Sequence, residues 1–325
     1  MFSFTQIRTF LDEGESRILS GVETPDNLYN PIRYILSLGG KKIRPALVLL
    51  SCNVFSDDLD AALAPALGIE IFHNFTLMHD DLMDRSDMRR GNLTVHKKWN
   101  DNTAILSGDA MLALAYQYIS KCKPDLLPDV LNLFSTTARE VCEGQQYDMD
   151  FEPRSDVSEN EYLEMIRLKT AVLLGCALKL GAIIGNANSE DAQNLYDFGI
   201  NLGLAFQLKD DLLDVYGDSS VFGKNIGGDI VCNKKTFLLI KALEKAAAEQ
   251  KSILQYWLSL SLFDKEEKIK NVTDIYNRLH IQELCEEKIA FYCENAMKCL
   301  RNVHVTDERK HELILLAQSL SERRY

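Results

Sequence analysis

Two clusters of three aspartates share one spacing, a pair followed three residues later by a third aspartate. Their members are Asp80, Asp81 and Asp84 in the first cluster and Asp210, Asp211 and Asp214 in the second. On a helix this spacing brings the three carboxylates to one side, where they repel one another. Each cluster also ends an apolar pattern, and a helix C-terminus disfavours further negative charge. A solvated helix end explains one such cluster, but two indicate a bound cation, and oxygen donors without cysteine favour Mg²⁺.

Basic side chains stand near both clusters, in a chain whose net charge is -12. They lie in four short segments: GGKKIRP with Lys41 and Arg44, RRG with Arg89 and Arg90, GKNIGGD with Lys224, and NKKT with Lys234. Glycine turns beside lysine and arginine at the start of a helix suit phosphate binding. Each segment alone is typical of a solvated surface. Beside two carboxylate clusters, they indicate a site for a diphosphate.

The elements that must position these residues are predicted to be helices. Apolar residues recur at steps of three and four in the runs that begin at Lys42, Ala66, Thr103, Glu161 and Asp191. No comparable run alternates with period two, and we find no flexible linker or short repeat. We therefore predict an all-α fold, one large helical bundle with a central active-site cavity, as a single domain over residues 1–325.

The composition excludes several other classes of protein. The 48 acidic residues outnumber the 36 basic ones, which argues against a nucleic-acid surface. The eight cysteines include no CxxC pair, as expected of a reduced, cytoplasmic chain. The apolar run from Ala171 is interrupted by Lys179 and is too short to span a bilayer. We predict a cytoplasmic protein with no secretion signal and no stable membrane insertion.

Seven segments carry a family resemblance in their order along the chain. They are GGKKIRP, EIFHNFTLMHDDLMDRSDMRRG, SGDA at Ser107, GQQYD at Gly144, LKT at Leu168, FQLKDDLLD at Phe206 and GKNIGGD at Gly223. This order resembles that of the trans-isoprenyl diphosphate synthases, which include farnesyl and geranylgeranyl diphosphate synthases. The resemblance implies an enzyme that condenses isopentenyl diphosphate with an allylic diphosphate, and it also implies a homodimer.

The resemblance assigns roles by position. Three Mg²⁺ ions are implied, two held by Asp80 and Asp84 and one by Asp210, with Asp81, Asp211 and Asp214 supporting them. The residues that match the allylic diphosphate site are Arg89, Lys169, Lys224 and Lys234. Those that match the isopentenyl diphosphate site are Lys41, Arg44, His73 and Arg90. Thr170 and Gln207 match polar groups beside the forming carbocation, and the departing diphosphate itself takes the proton.

The chemistry explains why such residues are needed. Breaking the allylic carbon–oxygen bond leaves a carbocation and a diphosphate anion, and divalent ions with lysine and arginine stabilise that leaving group. The cation needs weak dipoles that do not attack it, and water must be kept away because it would trap the cation as an alcohol.

Product length is expected to depend on the helix that carries the first cluster. Phe75 and Thr76 lie five and four positions before Asp80, and Phe72 lies about one further turn, roughly 5.4 Å, deeper. In the resembled family, aromatic residues at both positions tend to stop the chain at fifteen carbons. One aromatic residue implies twenty carbons, geranylgeranyl diphosphate, with farnesyl diphosphate next. Alternatively, the phenylalanines are core residues, or the helix AILSGDAMLALAYQY sets the floor of the cavity.

Two positions depart from the family pattern. Asn233 stands where many members have a glycine, which alters how Lys234 approaches a phosphate. Lys42 stands where arginine is common, which matters little if its side chain points to solvent.

Two other functions are considered. A terpene cyclase shares the ionisation step but needs no second diphosphate site, so Lys41, Arg44 and His73 argue against it. A non-catalytic partner subunit of a prenyl synthase is expected to lack one aspartate cluster, and both are intact here. The C-terminal ERRY resembles a basic tail that some members fold over the active site.

Overall fold

The computed structural model describes residues 2–15, 18, 24–217 and 226–321. In order, these residues form α1 (Phe4–Glu15), α2 (Asp26–Ser37), α3 (Ile43–Phe55), α4 (Asp60–Met83), β1 (Met88–Arg89), β2 (Asn92–Leu93), α5 (Val95–Lys98), α6 (Asp101–Ile119), α7 (Leu127–Phe151), α8 (Glu159–Ile166), a π-helical turn (Arg167–Ala171), α9 (Val172–Ile184), α10 (Ser189–Tyr216), α11 (Gly228–Val231), α12 (Phe237–Lys245), α13 (Ala248–Ser259), α14 (Lys265–Arg278), α15 (Ile281–Arg301) and α16 (Asp307–Ser321). The predicted all-α fold class is confirmed, and the described strands form one short hairpin.

The chain divides into two compact units. The first comprises Met1–Thr136, Cys176–Tyr196 and Val303–Leu313, and the second comprises Thr137–Gly175, Asp197–Asn302 and Ile314–Tyr325. Each unit carries one of the two aspartate clusters. That residues 1–325 form one domain stays a prediction.

The core of the first unit is built around α3, which is buried along ten consecutive residues from Pro45 to Val54. A helix buried on all sides needs apolar residues at nearly every position rather than on one face, and α3 has them. The hydroxyl of Ser51 donates a hydrogen bond to the carbonyl of Leu178 at 2.5 Å. On α9, Gly181 lies against the Val48 carbonyl, where a β-carbon would not fit. The two backbones therefore lie in close contact.

The long helix α4 carries the first aspartate cluster and packs along α6. A β-carbon at Gly68 would lie 2.8 Å from the Ile119 side chain, so glycine permits this close approach. At the other end, Gly108 on α6 makes room for the His79 ring. By length and composition α4 could cross a membrane, but 67% of its most apolar window is buried inside the protein. That burial is typical of a core helix.

The second unit contains the π-helical turn, which holds Lys169 and Thr170. Gly144 on α7 lies directly against the Lys169 backbone. Gly203 on α10 lies against Ala171, whose Cα is 2.6 Å from where a β-carbon would stand. A π-helical turn interrupts regular winding and is frequent at functional sites. The two glycines therefore let α7 and α10 enclose this turn.

Candidate active site

The first aspartate cluster lies at the C-terminal end of α4, and its three carboxylates differ in exposure. The Asp81 side chain is only 4% exposed and its Oδ2 accepts a hydrogen bond from Arg89 Nε at 2.7 Å. Asp80 is 23% exposed and lies 3.7 Å from Arg89 Nη2, and Asp84 is exposed just beyond the helix. Burial raises the pKa of Asp81, and Arg89 opposes that rise. The middle carboxylate is therefore the most buried of the three, and the outer two are more exposed to solvent.

The β-hairpin positions the two arginines that follow this cluster. Met88 pairs with Leu93 and Arg89 with Asn92, and the turn residues Arg90 and Gly91 both have positive φ angles, 52° and 74°. Such turns match the twist of a two-residue hairpin. A β-carbon at Gly40 would lie 2.9 Å from Arg90 Nη2. Arg90 therefore lies against the glycine turn that precedes Lys41.

Arg44 and His73 contact each other directly, at 3.1 Å between Arg44 Nη1 and His73 Nε2. Burial, followed by the charges of Arg44 and Arg90, lowers the pKa of His73 well below its usual value. His73 is therefore neutral, and because arginine can only donate, Nε2 accepts the hydrogen bond. Burial also lowers the pKa of Arg44, to about 10. Arg44 remains a cation held by a neutral ring.

Glu70 supplies the negative charge beside these arginines, and the sequence reasoning missed it. It is 5% exposed, and its Oε1 accepts a hydrogen bond from Asn74 Nδ2 at 3.0 Å. Burial raises its pKa, whereas the Asn74 hydrogen bond and Arg44 lower it. The available signal was a carboxylate inside the apolar run GIEIF.

The lysines at the start of α3 point to different surroundings. Lys41 is exposed in the turn before the helix. Lys42 has a left-handed backbone with a φ angle of 50°, and its ammonium pairs with Asp12 at 2.8 Å and with Glu15. Lys42 is therefore bound to α1 rather than pointing to solvent, and a lysine can make these two contacts as point charges.

In the second cluster the middle aspartate is held by neutral donors. Asp211 is 3% exposed, and it accepts hydrogen bonds from Tyr162 Oη at 2.5 Å and from Gln207 Nε2 at 2.9 Å. Burial raises the pKa of Asp211. Burial and the Asp211 charge raise the pKa of Tyr162, so its hydroxyl stays protonated. Asp210 is less buried than Asp211, as is Asp214. Tyr162 is a second residue that the sequence reasoning missed.

Hydrogen bonds connect Asp211 to the π-helical turn. Gln207 donates to Asp211 through its amide nitrogen, and its Oε1 accepts a hydrogen bond from Thr170 Oγ1 at 3.1 Å. The orientation of the Gln207 amide is therefore determined by both partners. The neighbouring Lys169 pairs with Asp148 at 2.6 Å and is 25% exposed. Thr170, Gln207 and Asp211 thus form one connected group.

Asp214 lies in the last turn of α10, and Lys234 follows the turn after α11. Asp214 Oδ2 accepts a hydrogen bond from the Asp229 backbone N–H at 2.9 Å, and the Lys234 N–H donates to the Asp229 carbonyl at 2.9 Å. The Lys234 side chain is 40% exposed, with its ammonium 3.9 Å from Asp229. Lys224 lies outside the described residues, as does ERRY.

The residues predicted to limit product length lie in a cluster of aromatic rings. The Phe72 and Phe75 centroids are 5.5 Å apart, and Phe72 is 5.2 Å from Phe134. Tyr116 on α6 lies 4.9 Å from Phe134. The Thr76 hydroxyl donates to the His73 carbonyl at 2.8 Å. Tyr116 belongs to the helix AILSGDAMLALAYQY considered above as an alternative floor, and Phe134, which the sequence reasoning missed, packs against both Tyr116 and Phe72.

His79 takes part in this packing rather than in the carboxylate cluster. Its ring lies 4.8 Å from Phe75, and its Nε2 lies 3.2 Å from the Ile105 carbonyl. It therefore connects α4 to α6.

The carboxylates of the two clusters fit partial magnesium sites that a substrate would complete. Among the described residues, no three histidine, cysteine, aspartate or glutamate side chains lie close enough to hold one metal ion. Mg²⁺ usually takes one or two carboxylates and completes its shell with water and substrate phosphates. Asp84 is exposed and Asp80 and Asp210 are partly exposed, so their hard carboxylate oxygens fit such partial sites.

The chain is similar to proteins of known activity. The polyprenyl synthetase family model matches residues 25–276. The geranylgeranyl diphosphate synthase of Methanosarcina mazei is 43% identical over 226 residues, 69% of this chain and 70% of that protein. The geranylfarnesyl diphosphate synthase of Natronomonas pharaonis is 38% identical over 256 residues, 73% of this chain and 75% of that protein. A crystal structure of a geranylgeranyl pyrophosphate synthase matches with a TM-score of 0.95 and 43% identity, covering 100% of both chains.

The family uses isopentenyl and allylic diphosphates as substrates and depends on Mg²⁺. The cyclase and partner-subunit alternatives are not favoured. The family model covers most of this chain, and a solved relative covers all of it. The chain therefore belongs to the polyprenyl synthetase family and is a short-chain trans-isoprenyl diphosphate synthase.

Proposed function

We propose that this prenyltransferase condenses isopentenyl diphosphate with an allylic diphosphate and stops mainly at geranylgeranyl diphosphate. The observation that supports this product length is a cluster of aromatic rings, Phe72 and Phe75 of α4 with Phe134 of α7. Phe75 is 7% exposed and Phe72 is fully buried behind it, with Phe134 packed edge-on against Phe72. Thr76 is smaller than an aromatic residue and leaves part of the path of the growing product tail open.

The metal sites are proposed from the outer aspartates. Asp80 and Asp84 hold two Mg²⁺ ions and Asp210 holds a third, which compensate the charge of the departing diphosphate. Asp81 and Asp211 support them through the helix backbone, because their own oxygens bind Arg89 and Tyr162. Asp214 holds the turn at Asp229.

The diphosphate sites are proposed from the cations. The allylic diphosphate is bound by Arg89, Lys169, Lys224 and Lys234. Isopentenyl diphosphate is bound by Lys41, Arg44, His73 and Arg90. Lys169 donates to Asp148 and its side chain is 25% exposed, so a phosphate can approach its ammonium group. Arg44 can present its remaining donors because His73 stays neutral.

Thr170 is proposed to face the allylic carbocation. Its proton is directed to Gln207 Oε1, so its oxygen lone pairs are oriented away from that bond and stabilise positive charge without attacking it. The double bond of isopentenyl diphosphate then forms the new carbon–carbon bond, and the departing diphosphate accepts the released proton.

The test is incubation with isopentenyl diphosphate and each allylic starter in turn, with Mg²⁺ and then with a chelator. We expect a twenty-carbon product that requires Mg²⁺. A fifteen-carbon product would mean that the floor lies closer to the diphosphate end. If no starter is condensed, the proposed function is rejected.

The ring cluster is tested with Phe75→Ala, for which longer products are expected. Phe291→Ala, an exposed phenylalanine of the second unit, is the matched control and should leave product length unchanged. If Phe75→Ala makes no longer product, Phe75 is a core residue only.

We further propose a cytoplasmic homodimer. All eight cysteines are free thiols, as expected of a reducing compartment. Sedimentation at micromolar concentration should show a dimer, and a stable monomer would reject this assembly.

A further inference from the structure

The turn that carries Lys234 contains a residue in an unusual backbone conformation. Asn233 has a φ angle of 57°, in the left-handed region where glycine is the ordinary choice and asparagine is the best tolerated side chain. Asn233 occupies the position at which the resembled family often has glycine. A glycine would adopt this φ angle without strain, so the side chain of Asn233 calls for a separate explanation.

Both ends of the Asn233 side-chain amide are bound. Its Nδ2 donates to the Leu258 carbonyl at 3.1 Å, at the end of α13. Its Oδ1 accepts a hydrogen bond from Lys268 Nζ at 2.6 Å, on α14. Its backbone carbonyl accepts one from Lys235 Nζ at 3.1 Å. The turn is therefore attached to two helices by one amide.

Lys268 is completely buried, although lysine is almost never fully buried. Besides Asn233, its ammonium donates to the Val231 carbonyl at 3.2 Å and lies 4.2 Å from the centre of the Phe263 ring. Burial lowers the pKa of Lys268. Burying an ammonium is costly unless it is well hydrogen-bonded, so these oxygen contacts explain how the residue is accommodated.

The same turn leaves Lys234 pointing outward. Its backbone N–H is bound to the Asp229 carbonyl at 2.9 Å, and its carbonyl accepts from the Thr236 N–H at 2.9 Å. Its side chain is 40% exposed. With the backbone held on both sides, the direction in which the side chain leaves the turn is defined.

We infer that Asn233 and Lys268 are a positioning pair, which holds the turn so that Lys234 meets the allylic diphosphate in a fixed orientation. This inference rests on the proposed role of Lys234 in binding that diphosphate. A glycine at this position would leave the turn mobile, and ordering it would then cost binding free energy. Asparagine keeps the left-handed backbone and adds the attachment.

The test separates backbone conformation from attachment. Asn233→Gly keeps the φ angle accessible and removes both side-chain hydrogen bonds. We expect KM for farnesyl diphosphate to rise about tenfold, equivalent to about 1.4 kcal/mol, with kcat and KM for isopentenyl diphosphate nearly unchanged. An allylic thiodiphosphate, which resists ionisation, should lose the same affinity in calorimetry with Mg²⁺. Unchanged affinity in Asn233→Gly overturns the inference, because only the backbone conformation would then matter.

A second variant changes the other member of the pair, Lys268. Lys268→Met removes the ammonium and keeps an unbranched apolar side chain, and Lys270→Met, an exposed lysine of the same helix, is its matched control. Lys268→Met should raise the same KM, and adding Asn233→Gly should raise it no further, because the two residues act through one contact. Independent, additive increases, or a lower melting temperature with unchanged KM, reject the pair and leave Lys268 as a stability residue.

Lys234→Ala distinguishes this inference from the proposed function. If Lys234→Ala raises KM and Asn233→Gly does not, the pair is wrong and the diphosphate site stands. If Lys234→Ala has no effect, the role of Lys234 itself is wrong, and the pair falls with it.

Discussion

The two aspartate clusters have the same spacing but compensate the middle carboxylate differently. Asp81 is paired with a guanidinium, that of Arg89, whereas Asp211 receives its hydrogen bonds from a phenol and an amide. The middle carboxylate of the first cluster is therefore hydrogen-bonded by a cation, whereas that of the second cluster is hydrogen-bonded by neutral groups. A repeated motif specifies helix geometry, but its electrostatics depend on residues that lie outside the motif.

The largest effect is expected at the outer aspartates. Asp80→Asn and Asp210→Asn should each lower kcat/KM about a thousandfold, because metal stabilisation of the leaving group is worth several kcal/mol. Steady-state condensation over a range of Mg²⁺ concentrations measures this. The matched variant Asp211→Asn, at a buried position, should lose about tenfold or less. Equal losses for Asp210→Asn and Asp211→Asn would erase the distinction between outer and middle carboxylates.

An intermediate effect is expected on stability. Arg89→Ala should lower the free energy of unfolding by about 3 kcal/mol, because it leaves a buried carboxylate without its counterion. Tyr162→Phe should cost about 2 kcal/mol, the usual value of a hydrogen bond between a neutral donor and a charged acceptor. Chemical denaturation at pH 7 measures both. Arg85→Ala, which removes the exposed pair with Asp101, is the control, with less than about 0.5 kcal/mol expected. A loss for Tyr162→Phe as large as that for Arg89→Ala would contradict the comparison.

The smallest effect is a pH dependence in the charged region. Because the folded protein lowers the pKa of His73, the unfolded chain binds the proton more tightly. The contribution of neutral His73 to the free energy of unfolding is therefore complete above the ordinary histidine pKa of about 6.5. It declines as the pH falls below that value, by about 1.4 kcal/mol per pH unit once the histidine of the unfolded chain is fully protonated. His73→Gln should remove this decline in denaturation experiments between about pH 7.5 and about pH 5.5, a window that brackets the unfolded pKa. Identical slopes for both proteins would mean that His73 is not the titrating group.

The sequence indicated the helices and the aspartate clusters because both depend on local spacing. The periodicity of α4 brings the carboxylates to one side whatever the rest of the chain does. It could not indicate Tyr162 as the partner of Asp211, because 49 positions separate them. For the same reason, Glu70 was missed as the counterion of Arg44 and Arg90. Such pairs form only when helices pack.

Local conformation was also missed where it departs from regular helix. The hairpin around Arg90 is too short to show an alternating pattern, since each strand has two residues. The π-helical turn has no residue signature, because RLKTA suits ordinary helix equally well. The residues that enclose it, Gly144 and Gly203, lie on other helices and admit close backbone contact.

The number of residues in the π-helical turn determines the direction in which its side chains point. A regular helix rotates about 100° per residue, so a π-helical turn absorbs one additional residue without rotating the next helix, α9. Removing a residue from Arg167–Ala171 would restore regular winding and preserve the register of α9. Lys169 and Thr170 would then face another direction. We therefore expect a relative with a one-residue deletion here to keep the architecture and to lose the roles proposed for Lys169 and Thr170.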